Sequence, residues 1–103
     1  MGGVNDGNSE YSDVLEDVMV QGVVTIGTTE TELKVGGSIE SDREVVRVYN
    51  KSNSTIYIGP TGVTTTSGEP LNKNGYMEMP IGVQSIYAIV SSGTEDVIVW
   101  EIG

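Results

Sequence analysis

Alternating polar and apolar positions mark most of the chain and predict short β-strands. Between residues 30 and 35, Thr31, Leu33 and Val35 would lie on one face of a strand and charged side chains on the other. A period of two residues is typical of a strand with one face on a core and the other in water. Similar β-favouring runs, separated by turn-forming residues, predict about seven strands in all. They cover residues 19–26, 30–35, 44–50, 55–58, 76–79, 85–90 and 95–102.

Two connections between these strands lead to specific predictions. Residues 51–54 are turn formers in a short connection, so the strands 44–50 and 55–58 are expected to form a hairpin. Residues 59–75 are expected to form one long, ordered loop, because they contain Pro60 and Pro70, which fix φ, and several Gly residues, which permit tight turns. Loops of this length in small domains often carry function.

The last strand, 95–102, is apolar on both faces. Alternation places Val97, Val99 and Glu101 on one face. Ile98, Trp100 and Ile102 then lie on the other. A strand of this kind is expected either at the centre of a sheet or under a partner.

The composition indicates an all-β fold. Val and Ile, whose branching at Cβ favours extended backbone, greatly outnumber Leu and Ala. Short strands at this spacing predict a small antiparallel β-sandwich or barrel, formed as a single domain by residues 19–103. Residues 1–18 are Gly-rich and then acidic, which predicts a flexible N-terminal arm, either disordered in isolation or ordered on a neighbouring subunit.

The charge of the chain argues against two classes of partner. The net charge is −10, from 15 acidic and 5 scattered basic residues. Clustered Lys and Arg bind nucleic acids and anionic membranes, so neither is expected as a partner. The apolar runs are also too short to span a bilayer.

Most side chains that carry catalytic chemistry are missing from the sequence. It contains neither His nor Cys, which excludes Ser-His-Asp and Cys-His arrangements and thiolate zinc sites. The turn at 59–62 lacks the Lys of a phosphate-binding loop. Glu78 and Glu101 could meet as an acid/base pair, but solvated, outward-facing charges are the preferred interpretation. We therefore predict no enzymatic activity, no catalytic residue and no cofactor.

One pattern resembles a calcium-binding loop. Asp6, Asn8, Glu10 and Asp17 have the spacing of EF-hand ligands. Tyr11 stands where that loop requires glycine, and no metal site is predicted.

The aromatic residues allow two interpretations. They are Tyr49, Tyr57, Tyr76, Tyr87 and Trp100, all in predicted strands or at their ends. Filling of the core, with hydroxyl groups at the surface, is preferred. A platform on which sugars stack is the alternative.

Several short motifs occur in a fixed order in residues 45–103. They are VYNKS at 48–52, IYIGPTGVT at 56–64, GEPL at 68–71, SIYAIVSSGT at 85–94 and VIVWEI at 97–102. This order resembles that in a family of small virion-associated β-proteins of tailed bacteriophages. The resemblance implies a structural role without catalysis, as a capsid decoration or head-fibre protein or as a tail accessory protein. Residues 1–44 carry none of it.

The resemblance leads to a functional expectation. The chain is expected to bind the outside of a capsid, in the virion, after synthesis in the cytoplasm of the bacterial host. Its partners would be the major capsid protein or another virion protein and further copies of itself, with a trimer compatible with capsid geometry. A tail-associated module that binds a receptor or glycan is the alternative. The expected interface residues are Pro60, Thr61, Val63, Thr64, Pro70, Leu71, Val97, Val99 and Trp100.

Overall fold

The computed structural model describes residues 19–103, which form an all-β sandwich of two antiparallel sheets with four strands each. This confirms the predicted fold class. The strands are β1 (Met19–Ile26), β2 (Thr31–Glu32), β3 (Val45–Tyr49), β4 (Ile56–Gly59), β5 (Glu69–Leu71), β6 (Tyr76–Met79), β7 (Tyr87–Ile89) and β8 (Glu95–Ile102). The arm and the calcium-like pattern predicted within residues 1–18 lie outside the described residues.

The two sheets have different strand orders. Sheet A has the order β1-β8-β3-β6, and sheet B has the order β2-β7-β4-β5. Within sheet A, β8 is hydrogen-bonded to β1 on one side and to β3 on the other. The central position predicted for the last strand from its two apolar faces is therefore confirmed.

The core lies between the sheets and consists mainly of β-branched side chains. Sheet A contributes Val46, Val48, Val97 and Val99, all fully buried. Sheet B and its flanking residues contribute Leu33, Ile56, Ile58, Leu71, Ala88 and Val90. These residues follow the period of two that the sequence shows, because successive side chains of a strand point to opposite faces.

The predicted hairpin between residues 44–50 and 55–58 is wrong, because β3 and β4 belong to different sheets. The chain passes from one sheet to the other at Asn50, whose side chain is fully buried. Asn50 Nδ2 donates to the carbonyl oxygens of Ser54 (2.7 Å) and Leu71 (2.8 Å). Its Oδ1 accepts from the backbone N–H of Ser52 (2.9 Å). The Asn50 side chain thus provides hydrogen-bond partners for backbone N–H and C=O groups at the crossing. Burying these groups without partners would destabilise the fold.

The single long loop predicted over residues 59–75 is also wrong, since it contains β5. This short strand pairs antiparallel with β4, with Leu71 opposite Ile56. Two shorter connections remain, 60–68 and 72–75. The first is ordered, as predicted: Gly68 N donates to Thr64 O at 2.9 Å, and Thr64 N donates to Ser67 Oγ at 3.0 Å.

The connection 60–68 is held by a buried side chain of its own. Val63 is only 6% exposed and lies against both Gly59 and Gly68. A Cβ atom added at Gly68 would come within 2.8 Å of Tyr57 Cβ and 2.9 Å of Val63 Cγ2. Glycine is therefore required at this position for close packing.

Replacing Gly68 with alanine is expected to lower the free energy of unfolding by about 1–3 kcal/mol, the usual cost of overpacking. Neither contact atom lies at the end of a long flexible chain, so the backbone has to move. Gly37→Ala is the matched control, because nothing lies within 4 Å of the added Cβ. Urea unfolding followed by Trp100 fluorescence measures both variants, and equal stability of the two would contradict the packing argument.

A fully buried ion pair joins β8 to the residues preceding β3. Arg43 Nη1 donates to Glu101 Oε2 at 2.9 Å, and neither side chain has exposed surface. Glu101 Oε1 also accepts from the backbone N–H of Val35 at 3.0 Å. The guanidinium of Arg43 donates further to the carbonyl oxygens of Leu33 (3.3 Å), Gly82 (2.7 Å) and Gln84 (2.6 Å). The expectation that Glu101 would be solvated and outward-facing is therefore wrong: it points into the sandwich, and together with Arg43 it holds residues 33–35 and 82–84 close to β8.

Candidate interaction surface

The outer face of sheet A is the most distinctive surface of the described part of the chain. The strand registers place side chains from all four strands on this face, side by side. They are Met19, Gln21, Val23 and Thr25 of β1; Asp96, Ile98, Trp100 and Ile102 of β8; Val45, Arg47 and Tyr49 of β3; and Tyr76 and Glu78 of β6.

Apolar side chains are concentrated on this face. Of the four large hydrophobic residues that residues 19–103 leave exposed, three lie here: Met19 (65% exposed), Tyr76 (60%) and Val23 (58%). The fourth, Val83 (55%), lies in the bend between β6 and β7. The half-buried Ile98, Trp100 and Ile102 lie between these exposed residues. Contiguous exposed apolar surface of this kind marks sites of interaction.

Arg47 occupies the middle of the face. In the registers it lies opposite Trp100 on one side and Glu78 on the other. Its guanidinium carbon is 4.6 Å from the ring centroid of Tyr76, and its Nε is 3.3 Å from Glu78 Oε2. The aromatic ring and the carboxylate hold the guanidinium in place by cation–π and ionic attraction. Trp, Tyr, Arg and Met are the residue types enriched in protein interfaces.

The structure corrects part of the expected interface. Leu71, Val97 and Val99 are core residues, and Val63 is buried against Gly59 and Gly68, so these four side chains are not available to a partner. The physical reason is the alternation of β5 and β8: a side chain that packs between the sheets cannot also face outward. The other predicted interface residues are at the surface. Pro60, Thr61, Thr64 and Pro70 are exposed, and Trp100 is half-buried.

The exposed residues of the 60–68 connection form a second surface, separate from the outer face of sheet A. Glu30 holds this connection from outside, accepting from Gly62 N at 2.6 Å and from Thr61 Oγ1 at 3.0 Å. Thr64 Oγ1 accepts from Ser67 N at 3.1 Å. Several of its polar groups are thus hydrogen-bonded within the chain, which orders the connection.

The structure separates the carboxylates that were considered as a catalytic pair. Glu78 lies on the outer face of sheet A and is exposed, whereas Glu101 lies on the inner face and is bound to Arg43. The two carboxylates therefore lie on opposite sides of sheet A and cannot act on one substrate. Among residues 19–103 no group of three or more His, Cys, Asp or Glu side chains is arranged to hold a metal ion.

The aromatic residues are divided between the two sheets. Trp100, Tyr49 and Tyr76 are on the outer face of sheet A, and Tyr57 and Tyr87 belong to sheet B. All five alternate along their strands with residues that pack between the sheets and so face outward, which means that filling of the core does not describe them. Over the described residues, the structure contains no helix long and apolar enough to cross a membrane.

Several residues of this surface were missed by the sequence prediction, above all Arg47, Val23 and Met19. The signal for Arg47 was present, because it alternates with Val46 and Val48 and so had to lie on the opposite face. The signal for β1 was weaker, because its outer face mixes Met19 and Val23 with Gln21 and Thr25. For β8, both faces are largely apolar, and only the fold shows which one is outside.

No protein-family model, curated protein or solved structure matches this chain.

Proposed function

We propose that the protein is a non-enzymatic structural protein of a bacteriophage particle, which binds the outside of the capsid through the outer face of sheet A. The observation that carries this proposal is the exposed apolar face around Trp100 and Arg47. The partner is the major capsid protein or another virion protein, and the bound protein is a homo-oligomer in the virion.

The shape and composition of the face support binding to a folded protein. It is built on a hydrogen-bonded sheet, so its side chains are fixed relative to one another before a partner arrives. Arg47 is already held by Tyr76 and Glu78. Less conformational entropy is lost on binding when side chains are held in this way, which favours affinity.

The charge of the chain supports a role at high local concentration. With a net charge of −10, unbound copies repel one another and stay soluble. The outer face of sheet A carries few charges, namely Arg47, Glu78 and Asp96. Attachment through this face therefore removes mainly apolar surface from water and leaves most acidic groups solvated.

The family resemblance supports the phage part of the proposal. Residues 45–103 contain β3 to β8, which form three of the four strands of each sheet. The motif at 97–102 lies within β8, so the resemblance includes the strand that carries Trp100.

One alternative has an observation in its favour. Trp100 and Tyr76 are on the same partly exposed face, where aromatic rings could stack on a sugar. Under this alternative the protein is a tail-associated module that binds a receptor or glycan.

Trp100→Ala and Tyr76→Ala are each expected to weaken attachment to capsids by about 10–100-fold, because buried aromatic anchors dominate interface energies. Val83→Ala is the matched control, since Val83 is similarly exposed but lies away from this face. The measurement is co-sedimentation of each purified variant with capsids that lack the protein, with thermal unfolding to verify that the variants are folded.

Unchanged attachment of folded Trp100→Ala and Tyr76→Ala would refute the proposed binding face. A glycan array tests the alternative: glycan binding that both substitutions abolish, without any attachment to capsids, would replace the capsid role with the receptor role.

A further inference from the structure

Each sheet of the sandwich has two edge strands, and an edge strand presents unpaired N–H and C=O groups that can accept another strand. The edges are β1 and β6 in sheet A, and β2 and β5 in sheet B. Proteins block unwanted pairing by keeping edge strands short or by placing charges or proline on them.

Three of the four edges carry such protection. β2 has only two residues, Thr31–Glu32. β5 has three residues and contains both Glu69 and Pro70. β6 has four residues, contains Glu78 and ends directly before Pro80.

The fourth edge, β1, has none of these features. It has eight residues, Met19–Ile26, and contains neither a charged residue nor proline. Among residues 19–103, its backbone hydrogen bonds run only to β8, so the opposite side of the strand has no backbone partner there. A long, uncharged edge beside three protected ones is suited to pairing with another strand.

We propose that β1 pairs antiparallel with β1 of a second copy of this chain, forming a two-fold symmetric dimer with a continuous eight-stranded sheet. This inference does not rest on the proposed function. It leaves the outer faces of the two copies of sheet A side by side and accessible.

Of the registers that match polar with polar and apolar with apolar residues, the one centred on Val23 overlaps the most of the strand. When the two β1 strands pair about a two-fold axis, each outer-face residue of one copy lies opposite an outer-face residue of the other. With Val23 opposite Val23 of the second copy, Gln21 lies opposite Thr25, and Val20 lies opposite Ile26 on the inner face. Every pair then matches polar with polar or apolar with apolar. Centring the pairing on Gly22 instead would place Gln21 opposite Val23 and Met19 opposite Thr25.

Charge opposes association of two copies, but least of all at this edge. Two chains of net charge −10 repel one another, and an uncharged strand is where they can approach at the lowest cost. Added salt screens that repulsion, with a Debye length that falls from about 10 Å at 0.1 M to about 3 Å at 1 M. The dimer is therefore expected to become stronger, not weaker, as salt is raised.

The preceding segment of the same chain is a less suitable occupant. To pair with β1 it would have to reverse just before Met19, as in a tight hairpin. Residues 10–18 contain no Gly, so none of the Asn-Gly, Asp-Gly or Gly-Gly pairs that two-residue hairpin turns favour occurs there. They also carry Glu10, Asp13, Glu16 and Asp17.

Cysteine cross-linking of the full chain tests the dimer directly, because the chain has no cysteine of its own. Val23→Cys is expected to form a disulfide-linked dimer under mild oxidation, since residues opposite each other in antiparallel strands have Cα atoms about 4.5–5.5 Å apart. That separation lies within the roughly 4.4–6.8 Å that a disulfide accepts. Val83→Cys is the matched control, with the same original residue and similar exposure outside β1, in the bend between β6 and β7.

Sedimentation equilibrium of the unmodified protein at low and high salt gives an independent readout. A dimer that strengthens with salt, with cross-linking at Val23 but not at Val83, would support the inference. Val23→Lys, which places two like charges at the two-fold axis, is expected to give a folded monomer. A monomer or trimer of the unmodified protein at all concentrations, or equal cross-linking of the two cysteine variants, would overturn the inference.

Discussion

Replacing Glu101 with alanine is expected to lower the free energy of unfolding by about 3–5 kcal/mol, because it leaves the Arg43 charge buried without its partner. The guanidinium has no exposed surface and cannot turn to water. The backbone N–H of Val35 loses its acceptor as well. Urea unfolding followed by the fluorescence of Trp100, the single tryptophan, measures the change.

Two further variants make the test specific. Glu78→Ala removes a glutamate from the same sheet that is paired with Arg47 at the surface, and its effect is expected to stay below about 1 kcal/mol. Arg43→Met combined with Glu101→Leu should recover part of the loss, since replacing a whole buried pair by apolar residues is often tolerated. If Glu101→Ala cost no more than Glu78→Ala, the ion pair would not be holding the surrounding segments.

Replacing Asn50 with aspartate is expected to destabilise the fold by about 3 kcal/mol or more, because buried backbone groups lose their donors and a charge is placed among them. The amide Nδ2 donates to the carbonyl oxygens of Ser54 and Leu71. An oxygen at that position would face both carbonyls. Asn50→Ala should cost somewhat less, since it removes the bonds without adding the charge.

Asn72→Asp is the control for this substitution. Asn72 is exposed and uses its Oδ1 to accept from Thr55 Oγ1 at 3.0 Å, which a carboxylate does equally well. Its change in stability is expected to stay within about 0.5 kcal/mol. Thermal unfolding ranks the stability of the three variants. If Asn50→Asp were as stable as Asn72→Asp, the hydrogen bonds of Asn50 would not be stabilising the crossing between the sheets.

Strands with strong local patterns could be predicted from the sequence. The predicted boundaries of β1, β6 and β8 agree with the structure. β2 is shorter than its alternation predicts, because the backbone beyond it is satisfied elsewhere. Leu33 N donates to Ile86 O, and Val35 N donates to the carboxylate of Glu101. The pattern was correct about which residues face inward, but it could not show which hydrogen bonds they make.

The crossing at Asn50 shows a different limit of the sequence. Residues 51–54 form a turn whether the next strand pairs with the previous one or passes to the other sheet. The crossing is held by a contact with Leu71, whose carbonyl oxygen accepts from Asn50 across a long separation in sequence. The residues next to the turn in the sequence do not reveal this distant contact.

The candidate site had the same ambiguity. In β8 both faces are apolar, and alternation alone gives two equivalent sets, one with Val97 and Val99 and one with Ile98 and Trp100. Glu101 was interpreted as a solvated, outward-facing charge, which was wrong, because Arg43 approaches it from a segment far away in the chain. Trp100 was identified, but its neighbours on β1 and β3 depend on strand order.

The central position of β8 also affects how the protein is made. β8 is the last of the eight strands to be synthesised, yet it lies between β1 and β3, and Ile102 pairs with Met19 across almost the whole described chain. Contacts this distant in sequence slow folding, because the chain loses entropy before they form. On the ribosome, β1, β3 and β6 emerge before the strand that joins β1 to the other two. Sheet A is therefore completed only after residues 95–102 emerge, and until then the growing chain depends on its acidic groups, or on chaperones, to avoid aggregation.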